Sequence, residues 1–447
     1  MSIQVSNSDT VTPPTKREQR QAYLKSLLDT VQAHVPETLA LRDLRVKAEA
    51  IVNEHTFPSN RDEDWRFTDL SPMLSIPFQA ADSSTDIDLG MLERVKMPEA
   101  IARIVMVNGQ YSEALSDIDQ LPAGIVVGNL ASLVETALAD TFTTRLATSN
   151  GGHEVFTALN TTGFQDAAVV YVPRNQVLEK PIQVVYLSVN RGEATITNSR
   201  GLVIAESGSA VTVVEDFSGA ESSDHFNNSV TEIWADDNAQ VTHIRLQREG
   251  NGTFHIGKTT ITQGRDSRYT IVPVTLGAQI SRHNLEVYQT GPQTDTNLYG
   301  LTAIAQSQLA DTHSLIAMNH SHGTAEQLHK AIIDDSGHAV FNGRVWVPHN
   351  AQLTNTSQLN RNLLLSGKAR VDTKPELDIV ADNVKCAHGA TVSQLDANEV
   401  FYLQSRGISD EAAQRLLIYG FAMDIIDRIP VPSLKQSLTE AVTQRSR

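Results

Sequence analysis

The sequence predicts a mainly β protein with helical regions at both ends. Three observations carry this. Short β-branched runs follow one another through the middle of the chain. Apolar residues at spacings of three and four mark both ends as helical. No stretch of about ten helical residues is visible between the β runs, so alternating βα units are not expected. Many short consecutive strands mean a sandwich, a barrel or a β-solenoid. No strict period is visible to choose among them. The Thr, Asn and Gln content, with only 5% aromatic residues, leans toward a solenoid with an aliphatic core.

The elements follow in order. Residues 1–15 are polar and carry Pro13 and Pro14, so a disordered arm is expected. Leu24, Leu27, Leu28 and Val31 then form a stripe on one helix face. A second helix is expected over 37–55, with Leu41, Leu44, Ala48, Ile51 and Val52 on its apolar side. Phe57-Pro58 ends it, because the residue before proline is pushed out of helical space. The stretch 56–70, TFPSNRDEDWRFTDL, mixes charge and aromatics in a way a plain linker does not. The helical N-terminal domain is taken as 16–98 and the β core as 99–378. Within that core, AAVVYVP (167–173), IQVVYL (182–187), AVTVVEDF (210–217) and RYTIVPVTL (268–276) are typical runs bounded by turn residues. A C-terminal helical domain is taken as 379–447. There Asp396 with Glu399 suits a capping box, and Gly407 suits a left-handed cap. Ser409 caps a helix with Leu416, Leu417, Phe421 and Ile425 on a broad apolar face, ended by Pro430 and Pro432. A last short helix covers about 433–443.

Composition excludes several functions. The chain has 447 residues and a formal net charge of −16, which argues against nucleic acid and against an anionic membrane surface. No run reaches the ~18 apolar residues of a membrane span. The N-terminus lacks the apolar stretch of a signal peptide, so a soluble cytoplasmic protein is expected. The single cysteine, Cys386, can make no internal disulfide and cannot hold an iron–sulfur cluster alone.

Four constellations bear on chemistry. GTFHIGKT (252–259) satisfies the phosphate-loop pattern, but β-branched alternation follows Lys258 where a helix should open. A chance match is favoured, and no ATPase activity is expected. Six of the 14 histidines fall between His313 and His349. His320 and His322 would share a face in an extended segment, yet no further ligands can be placed, so surface or turn histidines are favoured. The adjacent pairs Asp236-Asp237 and Asp334-Asp335 suit turns better than a glycosidase, and a β-helix hydrolase or lyase finds no further support. The strongest constellation is DNVKCAHGATV (382–392). In a strand, Cys386 and His388 point to one side, where a thiol and an imidazole can bind a soft metal or activate a nucleophile. An inert buried cysteine is the plain alternative.

At these residues the sequence resembles a known family. DNVKCAHGATVSQLDANEVFYLQSRGI (382–408) is similar to the C-terminal signature of the SufB/SufD family of iron–sulfur cluster assembly proteins. EQLHKAIIDDSGHAVFNGRVWV (326–347), QLNRNLLLS (358–366), ARVDTKPELDI (369–379) and FTALNTTGFQDAAVVYVPRNQVLEKPIQV (156–184) also fit. FPSNRDEDWRFTDL (57–70) resembles the SufD branch rather than SufB, and the lone cysteine suits that branch. Two departures are visible: Asp382-Asn383 stands for the usual acidic pair, and Ser393 for a common glycine.

The resemblance implies a right-handed parallel β-helix between two helical regions. It implies a non-catalytic subunit that pairs with the SufB scaffold through the β-helix ends and docks the SufC ATPase through C-terminal helices. The alternative is a SufB-type scaffold that holds the nascent cluster itself. On this resemblance His388 and Cys386 face the assembly interface and are candidate metal ligands shared with the partner. No cofactor is expected to stay bound to the chain alone, and ATP belongs to SufC. Tyr402, Arg406, Leu417 and Phe421 are the candidate SufC contacts. Whether the isolated chain forms a homodimer stays open.

Overall fold

The computed structural model describes residues 15–444, apart from 34, 37–40, 83–88, 134–135, 191 and 220–223. The arm expected over 1–15 lies outside the described residues, save Thr15. Thr15 caps helix α1 (Lys16–Gln32) in a capping box: its hydroxyl accepts from Glu18 N, and the Glu18 carboxylate accepts from Thr15 N at 2.7 Å. Leu24, Leu27, Leu28 and Val31 are buried, as their spacing predicts. Helix α2 (Arg42–Glu54) buries Ala48 and Val52. The start expected for it at residue 37 falls outside the described residues.

The charged and aromatic stretch after α2 is a docking wedge. A short 3-10 turn, Glu63–Trp65, buries Trp65. The Arg282 guanidinium lies 3.9 Å over the Trp65 ring. Arg282 also donates to Asp311 at 2.8 Å, and the Thr68 hydroxyl donates to the same carboxylate at 2.5 Å. Burial alone would raise the Asp311 pKa, but His313, Arg282 and Thr68 hold it down to about 2. Around this seam Tyr23, Phe57, Phe156 and Phe226 pack edge to face. An aromatic cluster therefore marks where the N-terminal region meets the β core.

Helices α3 (Leu89–Val95), α4 (Leu130–Leu133), α5 (Ala139–Thr143) and α6 (Val155–Gly163) precede or interrupt the first strands. Helix α6 corrects the expectation of no helical stretch after residue 100. All nine of its residues are buried, its polar side included, where Asn160 and Thr161 accept from Arg200.

From Ala168 onward the chain is a parallel β-solenoid of two sheets. Successive strands alternate between them. Sheet I runs from Ala168–Val172 through Thr195–Ala205 to Leu309–Ala317, His338–Val347 and Arg370–Ile379. Sheet II runs from Ala102–Val107 through Ile182–Ser188 to Thr324–Ile333, Asn355–Leu364 and Lys385–Ser393. The register places Gln240 beside Arg268, Arg268 beside Asp295, Asp295 beside Thr324, Thr324 beside Asn355 and Asn355 beside Lys385. Each turn thus takes about 30 residues, a repeat-protein period. The β part runs past the boundary expected at 378/379. The strand Arg370–Ile379 straddles it, and Lys385–Ser393 forms a further rung.

At one corner of five successive turns stands a single left-handed residue. Asn238, Asp266, Gln293, His322 and Leu353 stack there with φ of 57°, 58°, 61°, 63° and 60°. Each N–H bonds a carbonyl one turn on, as Asn238 N does to Arg265 O and His322 N to Gln352 O. His322 is therefore a corner residue. This agrees with the favoured reading of surface or turn histidines: the segment is not extended, so the shared face with His320 does not arise.

The interior divides in two. Val213, Ile271, Leu298, Val287, Ile316 and Val345 belong to an aliphatic cluster. Beside it runs a polar zone. Glu215 accepts from Thr231 at 2.7 Å and pairs with His243 at 2.9 Å. His255 pairs with Glu249 at 2.5 Å. Burial would raise the Glu249 pKa, but His255, Asn227 and Gln247 hold it down to about 2.

The outer face of sheet II lies under the C-terminal helices. Helix α7 (Ala397–Ser405) is capped by Asp396, and Gly407 takes φ 86° after it. Ser409 caps α8 (Asp410–Ile426), and α9 (Pro432–Gln444) follows. The buried face of α8 is Ala413, Ile418, Ala422, Ile425 and Ile426. This corrects the expected face, since Leu416 is exposed and Leu417 and Phe421 are only half-buried. The helix is apolar nearly all round, so its sequence did not single out one side. Lys330 anchors α8 by donating to Phe421 O at 2.9 Å and to the Asp424 carboxylate.

Candidate functional site at the open end of the solenoid

The last two strands, Arg370–Ile379 and Lys385–Ser393, each have a hydrogen-bonded strand on one side only. They leave a row of backbone donors and acceptors at the end of the stack, the kind of edge that natural proteins cover or pair. Pro375, which has no N–H, sits on one of them.

Cys386 and His388 lie on this end. Their side of the strand follows from register. In Asn355–Leu364, residues 356, 358, 360 and 362 are buried, while 355, 357, 359 and 361 are exposed. Cys386 pairs with Thr356 and His388 with Gln358. Both therefore continue the inward row, as the i, i+2 spacing predicts. Cys386 is half-buried and packs against the aliphatic interior with Leu377 and Val384. His388 is exposed. The row offers a thiol and an imidazole side by side at an open edge, where a second molecule can add ligands.

The surroundings are unusually apolar for a free surface. Leu359, Ile379, Val380 and Val392 are exposed on the last turns, and Phe401 and Tyr402 follow on α7 at 70% and 57% exposure. Arg406 places its guanidinium 5.4 Å from the Tyr402 ring. Phe421 is engaged within the chain, with the Lys330 ammonium 4.4 Å from its ring. Tyr402 and Arg406 are exposed and engage each other, Leu417 is half-buried, and Phe421 packs within the chain.

The other constellations resolve plainly. Lys258 is in the strand Thr253–Gln263, with its ammonium bonded to Gly151 O at 2.8 Å and Glu286 at 2.7 Å. The glycine loop and following helix of a phosphate site are absent at this segment. His313 pairs with Asp311 and His338 with Asp372, while His329 is inside the solenoid. Among the described residues no group of three His, Cys, Asp or Glu side chains is placed to hold a metal ion. Asp236 pairs with Arg145 at 3.1 Å near a corner.

Sequence reasoning missed the floor of the site. Thr356, Gln358 and Asn362 lie directly beneath Cys386, His388 and Val392. The alternating TSQLNRN of 356–362 was the available signal, but it places polar residues inward and so runs against a search for apolar alternation.

Comparison with known proteins agrees with this architecture. The SufBD core domain of the SUF system for FeS cluster assembly matches residues 187–421, and the SufBD N-terminal region matches 16–184. An iron–sulfur cluster assembly SufBD family protein of Synechocystis is 43% identical, over 98% of each chain. The iron–sulfur cluster assembly protein SufD of Escherichia coli is 29% identical, over 87% of this chain and 89% of its own. That of Bacillus subtilis is 27% identical, over 96% and 99%. With a parallel solenoid between helical ends and both family regions in sequence, the chain belongs to the SufBD family of iron–sulfur cluster assembly proteins, and within it is SufD-like.

Proposed function

We propose that the chain is a non-catalytic subunit of an iron–sulfur assembly complex, pairing with a SufB scaffold and docking a SufC ATPase. The observation that carries this is the register of the last strand. It puts Cys386 and His388 on one inward row at an unpaired sheet edge. Two side chains are fewer than the four ligands a cluster normally takes, so the nascent cluster is cargo shared with the partner. The free strand edge can accept a partner strand by β-augmentation. The exposed Phe401, Tyr402 and Leu416 offer an apolar surface for SufC. Lys258 is locked in a strand, which supports leaving ATP to the partner. No helix among the described residues is long and apolar enough to cross a membrane, which accords with a cytoplasmic place.

Co-expression with SufB and SufC tests the assembly: the three chains should co-purify, and a chain that stays alone refutes the proposal. His388→Ala should leave that complex intact and lower cluster formation in cells. Normal cluster levels would make His388 structural. Cys386→Ser should have an equal or smaller effect.

A further inference from the structure

The outer face of sheet I carries a charged trough of about 600 Å³. It crosses four successive strands, from Ile280–Gln289 to Arg370–Ile379. One column of its floor is Asn284, His313, Asn342 and Lys374, which the register sets side by side. Glu63, Asp64 and Trp65 of the N-terminal wedge also line it. Three strand spacings make the trough ~14 Å long, which takes roughly four extended residues at ~3.3 Å each. One end opens at the unpaired edge of sheet I, because Lys374, Glu376 and Asp378 stand on the last strand.

The lining is acidic. Glu63, Asp64, Glu154, Glu286, Glu376 and Asp378 face three fixed cations, Arg282, Arg344 and Lys374, a net charge of −3. Two groups just outside the lining leave that balance unchanged: Asp311 takes Arg282, and Lys258 takes Glu286. Arg344 and Lys374 sit in exposed pairs with Asp378, Glu376 and Glu63, and such pairs contribute little in water. A cleft lined by one sign of charge focuses its field and draws in the opposite sign. A second recess of about 210 Å³ shares Glu63, Asp64 and Lys374 with the trough. Asp311, 2% exposed, lines this recess. His313 Nε2 stands 3.1 Å from Asp311 Oδ1 but out of line, so that oxygen accepts no hydrogen bond. Both features call for a positively charged donor.

We propose that the trough receives an extended basic segment of the partner chain that covers the open edge. This rests on reading that edge as the partner interface. The contact differs from strand addition, which runs along Arg370–Ile379 and uses backbone groups. The trough runs across the strands, so side chains make the contact. Lysine or arginine side chains of the segment meet Glu63 and Asp64 on the wedge, and Glu376 and Asp378 on the last strand. One partner chain then holds the N-terminal wedge and the sheet edge together.

The test uses the full chain with SufB, in the presence of SufC. Amide hydrogen exchange over 61–68 should slow in the complex relative to the wild-type chain alone. Glu63→Lys with Asp64→Lys, both exposed and off the edge strand, reverses the charge of the wedge wall. This double variant should weaken pairing about tenfold at ~0.1 M salt and far less at ~1 M. Glu113→Lys with Glu179→Lys, exposed outside the trough, makes the same change in net charge and should pair like wild type. Unchanged pairing in the wedge variant, equal weakening in the control, or no slowing over 61–68 each overturns the proposal and leaves the edge reading standing. Slowing that appears without SufB and grows with the concentration of this chain assigns the trough to a second copy and also overturns it. If the chains do not pair at all, the edge reading fails and the proposal falls with it.

Discussion

Replacing His329 with glutamine should make the solenoid less sensitive to acid. His329 is buried inside sheet II, with Nε2 3.1 Å from Thr302 Oγ1 and its ring 5.1 Å from that of Phe341. Burial holds its pKa down to about 4, from an ordinary 6.5. The folded protein therefore keeps the ring neutral, while the unfolded chain takes up a proton near pH 6.5. Between pH 6.5 and 4 the unfolded state binds more protons, so stability falls as pH falls through that window. Above it His329 adds no pH dependence; below it both states are charged and the loss levels off. A shift of about 2.5 units at about 1.4 kcal/mol each makes the loss about 3 kcal/mol. Glutamine can still reach Thr302 and cannot titrate. Urea unfolding at pH 7 and pH 4, compared at equal m-value, measures the difference. The wild type should lose about 3 kcal/mol more than His329→Gln over this span. Equal losses would refute the reasoning.

Three further outcomes are expected. Lys258→Ala should leave ATP turnover unchanged at background and cost about 2–3 kcal/mol, because Gly151 O and Glu286 lose a buried ammonium. Amide hydrogen exchange around 147–153 should quicken. Gly300→Ala should lower the melting temperature, because the new Cβ overlaps the His329 ring, at roughly 1–3 kcal/mol for overpacking. Gly367→Ala, with open space around it, is the control and should melt like wild type. Lys330→Met should speed amide exchange in α8 and cost about 2 kcal/mol, since both of its bonds tie that helix to sheet II. Unchanged exchange in α8 would show that the apolar contacts alone hold it.

Much of this was legible in the residues. The β-branched runs lie in strands, and the stripe of Leu24, Leu27, Leu28 and Val31 is the buried face of α1. The shared side of Cys386 and His388 followed from period two alone. The period of the solenoid was hidden because turn length varies and much of the inward surface is polar. His243, His255, His283 and His329 are all buried inside, where apolar alternation would never place them. The openness of the site was equally hidden. It depends on no further strand covering Lys385–Ser393, which is a property of the stack rather than of that segment.

The stacked corners give the molecule a length gauge. Five successive turns repeat the same left-handed step, and each turn advances the chain by one strand spacing, ~4.8 Å. The strand Leu309–Ala317, where Asp311 anchors the N-terminal wedge, lies two strands from the open edge of sheet I. The separation between wedge and edge is therefore set in whole steps, at ~10 Å. A residue gained or lost at a corner leaves that separation unchanged. Only a complete turn of about 30 residues moves the edge, and it does so without disturbing any ladder above or below. A partner that grips both the wedge and the edge would measure the number of turns, and one turn more or fewer would put its two contacts out of step.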